Sequence, residues 1–222
     1  MTSYDTSDFD DIRPYTDEEI PAAMKRIVNN RFFPLLAPYV YPDRSLSDVR
    51  ELLLTFKSIH DFQADTMLSV NEQIVKQTID EFTCCGLTRL SPLRPYLYVS
   101  NHRDIMLDAS LLQYYLLTHG FDTSEITFGA NLMQNQLVID IGKCNKMFRV
   151  ERPGGSLREF YKKSVHLSQY LHYTITQQHR SVWIAQRNGR TKDGMDTTDQ
   201  GIIKMFGMAY PEDKIRAISD LH

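Results

Sequence analysis

Apolar residues recur at helical spacing through the first third of the chain. Ile20, Met24, Ile27 and Val28 follow Thr16-Asp17-Glu18-Glu19, which has capping-box spacing and acids suited to a helix N-terminus. This helix is predicted to fade near Pro34–Pro38. Ser45 or Ser47 is placed to cap a second helix, with Val49, Leu52, Leu53 and Phe56 on its buried side. A third runs from about Ile59 to Phe82 through Phe62, Met67, Val70, Ile74, Val75 and Ile79. With an acidic, weakly structured lead over residues 1–15, residues 1–82 read as a helical N-terminal region.

After Phe82 the pattern changes. Thr83–Leu87 and Tyr96–Ser100 are short β-rich runs bounded by Gly86, Pro92 and Pro95. Leu107–Leu117 reads as a helix, and Ile126–Phe128 and Met147–Val150 as strands. Ser156-Leu157-Arg158-Glu159 is a second capping-box match. It opens a long helix with Leu157, Phe160, Tyr161, Val165, Leu171 and Ile175 on one side. Ser181–Ala185 is a buried-type strand and Gly201–Ala209 a helix. Alternation of strand and helix over residues 83–222 predicts a three-layer α/β domain.

Composition is that of a globular protein: 222 residues, 42% hydrophobic, 24% charged and net charge −3. The runs without charge, Ala109–Phe121 and Ile126–Ile139, are too short and too polar to span a membrane, and the acidic N-terminus does not read as a secretory signal. Cys84, Cys85 and Cys144 make a poor disulfide framework and a poor metal cage, and they read as small buried thiols of a cytoplasmic protein. His166, His172 and His179 read as surface histidines. Charge is unevenly spread: residues 143–192 hold eleven Lys and Arg against Glu151 and Glu159, a net +9 that leaves −12 elsewhere. A basic block in an acidic chain points to an anionic partner.

The chemistry-bearing segment is Val99-Ser100-Asn101-His102-Arg103-Asp104-Ile105-Met106-Leu107-Asp108. A strand runs into Ser-Asn, and a histidine follows at the turn into a helix. Strand C-termini in α/β sheets are where sites are built. A histidine with a nearby carboxylate is the kit of a general base, because the acid fixes the tautomer and stabilises the imidazolium.

This string resembles the first motif of the glycerolipid acyltransferases: Asn-His, four residues, then Asp. Ser100-Asn101-His102-Arg103 and Leu107-Asp108 match it, but five residues separate His102 from Asp108. The extra residue falls around Asp104–Ile105, so Asp104 is the alternative partner of the histidine; the apolar flank after Leu107 favours Asp108. Gly129-Ala130-Asn131-Leu132 and Phe148-Arg149-Val150-Glu151-Arg152 resemble the second block. The resemblance carries phosphate binding to Arg152, with Arg149 second, and a guanidinium fork suits phosphate oxygens. Val182–Gly194 stands where the third block, Glu-Gly-x-Arg-Ser, is expected. Gly189 and Arg190 match loosely, and Asn188 occupies the place of the family carboxylate. A Gly-containing turn bearing Arg190 and Lys192 suits a phosphate. A fourth block, an apolar strand with Val-Pro, is absent. The chain stops at Ile218–His222 where that strand would start, so a chain cut short at this end is expected.

The resemblance covers roughly residues 83–222. It implies an O-acyltransferase of phospholipid biosynthesis, moving a fatty acyl group from acyl-carrier protein or coenzyme A to a hydroxyl of glycerol-3-phosphate or a lysophospholipid. It implies no metal and no bound cofactor, no nucleic acid partner, and a cytoplasmic protein peripheral on the membrane. His102 is the expected base, Asp108 its support, and Arg152, Arg190 and Lys192 the phosphate cradle. Two other readings stay open. A non-catalytic phosphate- or lipid-binding module would keep the basic block without needing His102. A metal-assisted phosphoesterase would use His102, Asp104 and Asp108 as ligands, with Asp140 and Asp193 the obvious additions.

Overall fold

The computed structural model describes residues 3–152 and 154–221. Its helices are Ile20–Val28 (α1), Phe33–Val40 (α2), Leu46–Thr55 (α3), Ile59–Phe62 (α4), Leu68–Thr78 (α5), Leu107–Thr118 (α6), Gln136–Cys144 (α7), Leu157–His172 (α8), Gln200–Phe206 (α9) and Lys214–Ser219 (α10). The strands Leu97–Ser100 (β1), Glu125–Gly129 (β2), Met147–Val150 (β3) and Val182–Ala185 (β4) form one parallel sheet in the order β1-β4-β2-β3.

The chain divides into two compact units: residues 1–13, 84–131 and 149–222 in one, and residues 14–83 and 132–148 in the other. The lead and the α7 segment therefore fall on the opposite side of the division from a simple cut at residue 82.

The second unit is helical. Thr16 and Glu19 form a reciprocal capping box before α1, and Ser45 caps α3 by accepting the Asp48 N–H at 3.1 Å. The chain does not lose its helicity at Pro34–Pro38. Pro34 starts α2, where its missing N–H is no loss, and Pro38 lies inside that helix. The helix predicted over 59–82 is broken by a π turn at Gln63–Met67 and ends at Thr78. Ile20, Met24, Val28, Phe33, Val49, Phe56, Leu137 and Cys144 share the core. Within it Asp140 of α7 is 1% exposed. It accepts from the Arg26 guanidinium at 2.7 Å, from the Tyr15 hydroxyl at 2.7 Å and from the Gln136 amide at 2.9 Å. Burial, with the Asp140 carboxylate beside it, pushes the Tyr15 phenol up to about 12.

The α/β unit is built on β4. Val182, Trp183 and Ile184 are buried, as a strand flanked on both sides requires. β4 pairs in parallel with β1, Ser100 opposite Ala185, and with β2, Ile126 opposite Trp183. The Ser156–Glu159 capping box opens α8. Two of that helix's expected core residues, Leu157 and Tyr161, instead lie exposed on its first turns; burial begins at Ser168 and runs on into a π turn at Tyr173–Gln177. Four sequence expectations are corrected here. Thr83–Leu87 forms no strand: its β-prone residues find no neighbouring strand, and the chain turns at Gly86. Ile218 lies in α10, not in a starting strand. Cys84 and Cys85 are exposed, and only Cys144 is buried. His172 is not a surface residue but 1% exposed.

The His172 ring faces the Phe206 carbonyl, the edge of Tyr210 and the charge of Asp220, and burial pulls its pKa below the usual imidazole value. A histidine held neutral by burial takes up a proton more readily in the unfolded chain. Its contribution is therefore complete above the ordinary imidazole pKa and is lost as the pH falls through it. The melting temperature is expected to drop between about pH 7 and about pH 5.5, and to drop less in His172→Gln. Parallel melting curves would contradict this.

Candidate functional site

Parallel strands bring their C-terminal ends to one edge, so the segments after β1, β2, β3 and β4 emerge together. β1 and β4 are neighbours. The backbone continues their pairing one step beyond the sheet, where the Gln186 N–H donates to the Ser100 carbonyl at 2.8 Å. The Thr191 N–H then donates to the His102 carbonyl at 2.8 Å. The turn after β1 and the loop after β4 are thus laced to each other.

His102 lies two residues beyond the end of β1. Its Nδ1 is 3.0 Å from Asp108 Oδ2, in the first turn of α6, and the two side chains are 18% and 14% exposed. Asp108 also accepts the Arg103 N–H at 2.8 Å and the Asp104 N–H at 3.0 Å. The turn between histidine and acid is therefore wrapped around the carboxylate. Asp104 has the other role. Its Oδ1 accepts the N–H groups of Met106 and Leu107, each at 2.8 Å, at the start of α6. Those bonds, from Leu107 first and Met106 next, hold its carboxyl below the usual range, and Arg190 and His102 add attraction. With Asp108 on Nδ1, the proton sits there and Nε2 is the acceptor nitrogen. Nε2 has no hydrogen-bond partner among the described residues.

The flanking residues converge on an acid not singled out from the sequence. Asn101 Nδ2 donates to Asp196 Oδ2 at 2.7 Å, and Arg103 binds Asp196 through its Nε, 3.1 Å from both oxygens, and through a terminal nitrogen. Thr191 Oγ1 donates to Asp196 Oδ1 at 3.1 Å. The Arg103 guanidinium holds the Asp196 carboxyl below its usual range.

The cations divide. Arg190 and Lys192 are exposed on the loop after β4, on either side of Thr191, and the charge of Arg190 reaches Asp104. Gly189, at φ +77°, supplies the left-handed turn before Arg190, next to the exposed Asn188. Arg152, past β3, leans toward the end of β2. A Cβ on Gly129 would stand 3.9 Å from Arg152 Nε and 2.8 Å from Asn131 Oδ1, the mobile end of a side chain. That places Arg152 beside the strand next to β4. Arg149 is turned away and binds Glu151 at 2.7 Å, with Lys163 on the other oxygen of Glu151 at 3.4 Å.

Among the described residues no group of three or more His, Cys, Asp and Glu is arranged to hold a metal ion. Asp140 is taken up by Arg26 and Tyr15, and Asp193 accepts the Met195 N–H at 3.0 Å. No helix among the described residues is long and apolar enough to cross a membrane. The sequence matches no family model and no curated protein.

Proposed function

We propose that the chain is an acyltransferase that moves a fatty acyl group from a thioester donor, acyl-coenzyme A or acyl-carrier protein, to a hydroxyl of glycerol-3-phosphate or a lysophospholipid. The observation that carries this reading is the His102–Asp108 pair at the end of β1 with its Nε2 unengaged. Nε2 takes the proton of the acceptor hydroxyl while Asp108 stabilises the resulting imidazolium. The oxygen attacks the acyl carbonyl and forms a tetrahedral adduct. The adduct collapses, the C–S bond breaks, and the imidazolium returns its proton to the departing thiolate. The products are an ester and a free thiol. Arg190 and Lys192 from the loop after β4, with Arg152 from the end of β3, are the groups assigned to the acceptor phosphate, since guanidinium and ammonium donors suit phosphate oxygens. A three-layer acyltransferase domain preceded by a helical N-terminal region, working at the cytoplasmic membrane surface, belongs to the same proposal.

Thiol release from acyl-coenzyme A and acyl-carrier protein, measured against a panel of phosphorylated and non-phosphorylated acceptors, tests it. Release that depends on a phosphorylated acceptor is expected. Arg190→Ala is expected to raise the KM for that acceptor about tenfold or more, as loss of a charge-assisted bond implies, and to leave the donor KM nearly unchanged. Phosphate binding without thiol release for any donor would favour the non-catalytic module, which the Asn188 substitution of the family carboxylate would suit.

A further inference from the structure

We propose that Asp196 is a positioning residue that fixes the general base and the phosphate-binding loop from a single carboxylate, and so sets the span between acceptor hydroxyl and phosphate. This rests on the acyltransferase reading. Asp196 lies in the segment joining β4 to α9. Its partners Asn101 and Arg103 are the residues immediately before and after His102. Its third partner, Thr191, gives its N–H to the His102 carbonyl and stands between Arg190 and Lys192. The main chain of His102 is therefore held on both sides and at its own carbonyl. The same carboxylate holds the residue on which the two cations hinge.

Two acids divide the task. Asp108 fixes the imidazole ring, and Asp196 fixes where the backbone carries it. Arg103 is also spoken for: paired in a fork with Asp196, it does not compete with Arg190 and Lys192 for the phosphate. On the acyltransferase reading the acceptor is one whose hydroxyl and phosphate are a short, fixed distance apart, as on a glycerol phosphate. In such a substrate a displacement of either half of the site by about 1 Å costs on the order of 10²-fold in rate.

This predicts a kinetic signature that neither half alone would produce. Asp196→Ala in the full chain is expected to lower kcat by about 10–10²-fold and to raise the KM for glycerol-3-phosphate by roughly tenfold, with the KM for acyl-coenzyme A within about twofold. Asp196→Asn keeps one acceptor oxygen, enough for Asn101 or Thr191 but not both, and loses the ion pair, so it should fall between. Thr191→Val removes one link and should shift both parameters less. Amide hydrogen exchange supplies a readout independent of turnover: Thr191 is expected to exchange faster in Asp196→Ala, while the α8 amides keep their protection. Parent-like kcat and acceptor KM in Asp196→Ala would overturn the proposal, and so would a loss of activity that only tracks the fraction folded. If the parent transfers no acyl group, the acyltransferase reading fails by itself. The positioning role is then decided by exchange, and unchanged Thr191 protection refutes it.

Discussion

His102→Ala is expected to lower kcat by about 10²–10⁴-fold, the usual range for loss of a positioned general base, with both KM values little changed. The reason is geometric. The acceptor hydroxyl is not acidic enough to attack a thioester unaided, and Nε2 is the basic atom presented at this strand end. His102→Gln gives the same sign, because an amide takes up no proton at neutral pH. Turnover within a few-fold of the parent would remove His102 from the mechanism. Equal loss of kcat and rise of acceptor KM would instead make it a binding residue.

Asp108→Asn is expected to have nearly as large an effect, about 10²–10⁴-fold on kcat. The substitution preserves shape and an oxygen for the N–H groups of Arg103 and Asp104, so the turn keeps its path. It removes the charge that stabilises the imidazolium, while the amide oxygen in the place of Oδ2 still faces Nδ1 and the Arg103 N–H. Asp104→Asn is the control. Asp104 caps α6 by accepting from Met106 and Leu107, and an Asn caps nearly as well, so kcat should change little and stability by less than about 1 kcal/mol. If Asp104→Asn proved the more damaging, the division between the two acids would be reversed.

What was legible in the sequence is what short-range chemistry determines. Both capping boxes, Thr16 with Glu19 and Ser156 with Glu159, open helices where the spacing places them. The apolar run through Val182-Trp183-Ile184 is a buried strand, and Met147–Val150 has its predicted limits. His102 and Asp108 are six residues apart, so one turn brings them together. Features that depend on distant chain were not legible. α7 escaped notice because its buried face includes Asp140 and Gly142, which read as polar or helix-weakening until Arg26 and Tyr15 are beside the carboxylate. Leu157 and Tyr161 fit the apolar stripe of α8, but they lie exposed on its first turns. Asp196 is 95 residues from Asn101 and is invisible without the neighbouring of β1 and β4.

The interleaving of the two units means that no single cut of the chain yields both intact. A polypeptide starting at residue 84 would still carry the α7 segment, but without Tyr15 and Arg26. Asp140 would then have lost its guanidinium and phenol partners, while Leu137 and Cys144 would have lost the apolar neighbours that cover them. Stranding a buried carboxylate in this way costs about 3–5 kcal/mol, comparable to the whole stability of a modest domain. The orphaned helix would have to unravel into water or stick to another molecule. Severing the peptide bond at such a site while keeping both pieces is a different matter. Two fragments, 1–83 and 84–222, have complementary surfaces and would be expected to reassemble when mixed, the shorter one acting as an intramolecular chaperone supplied in trans.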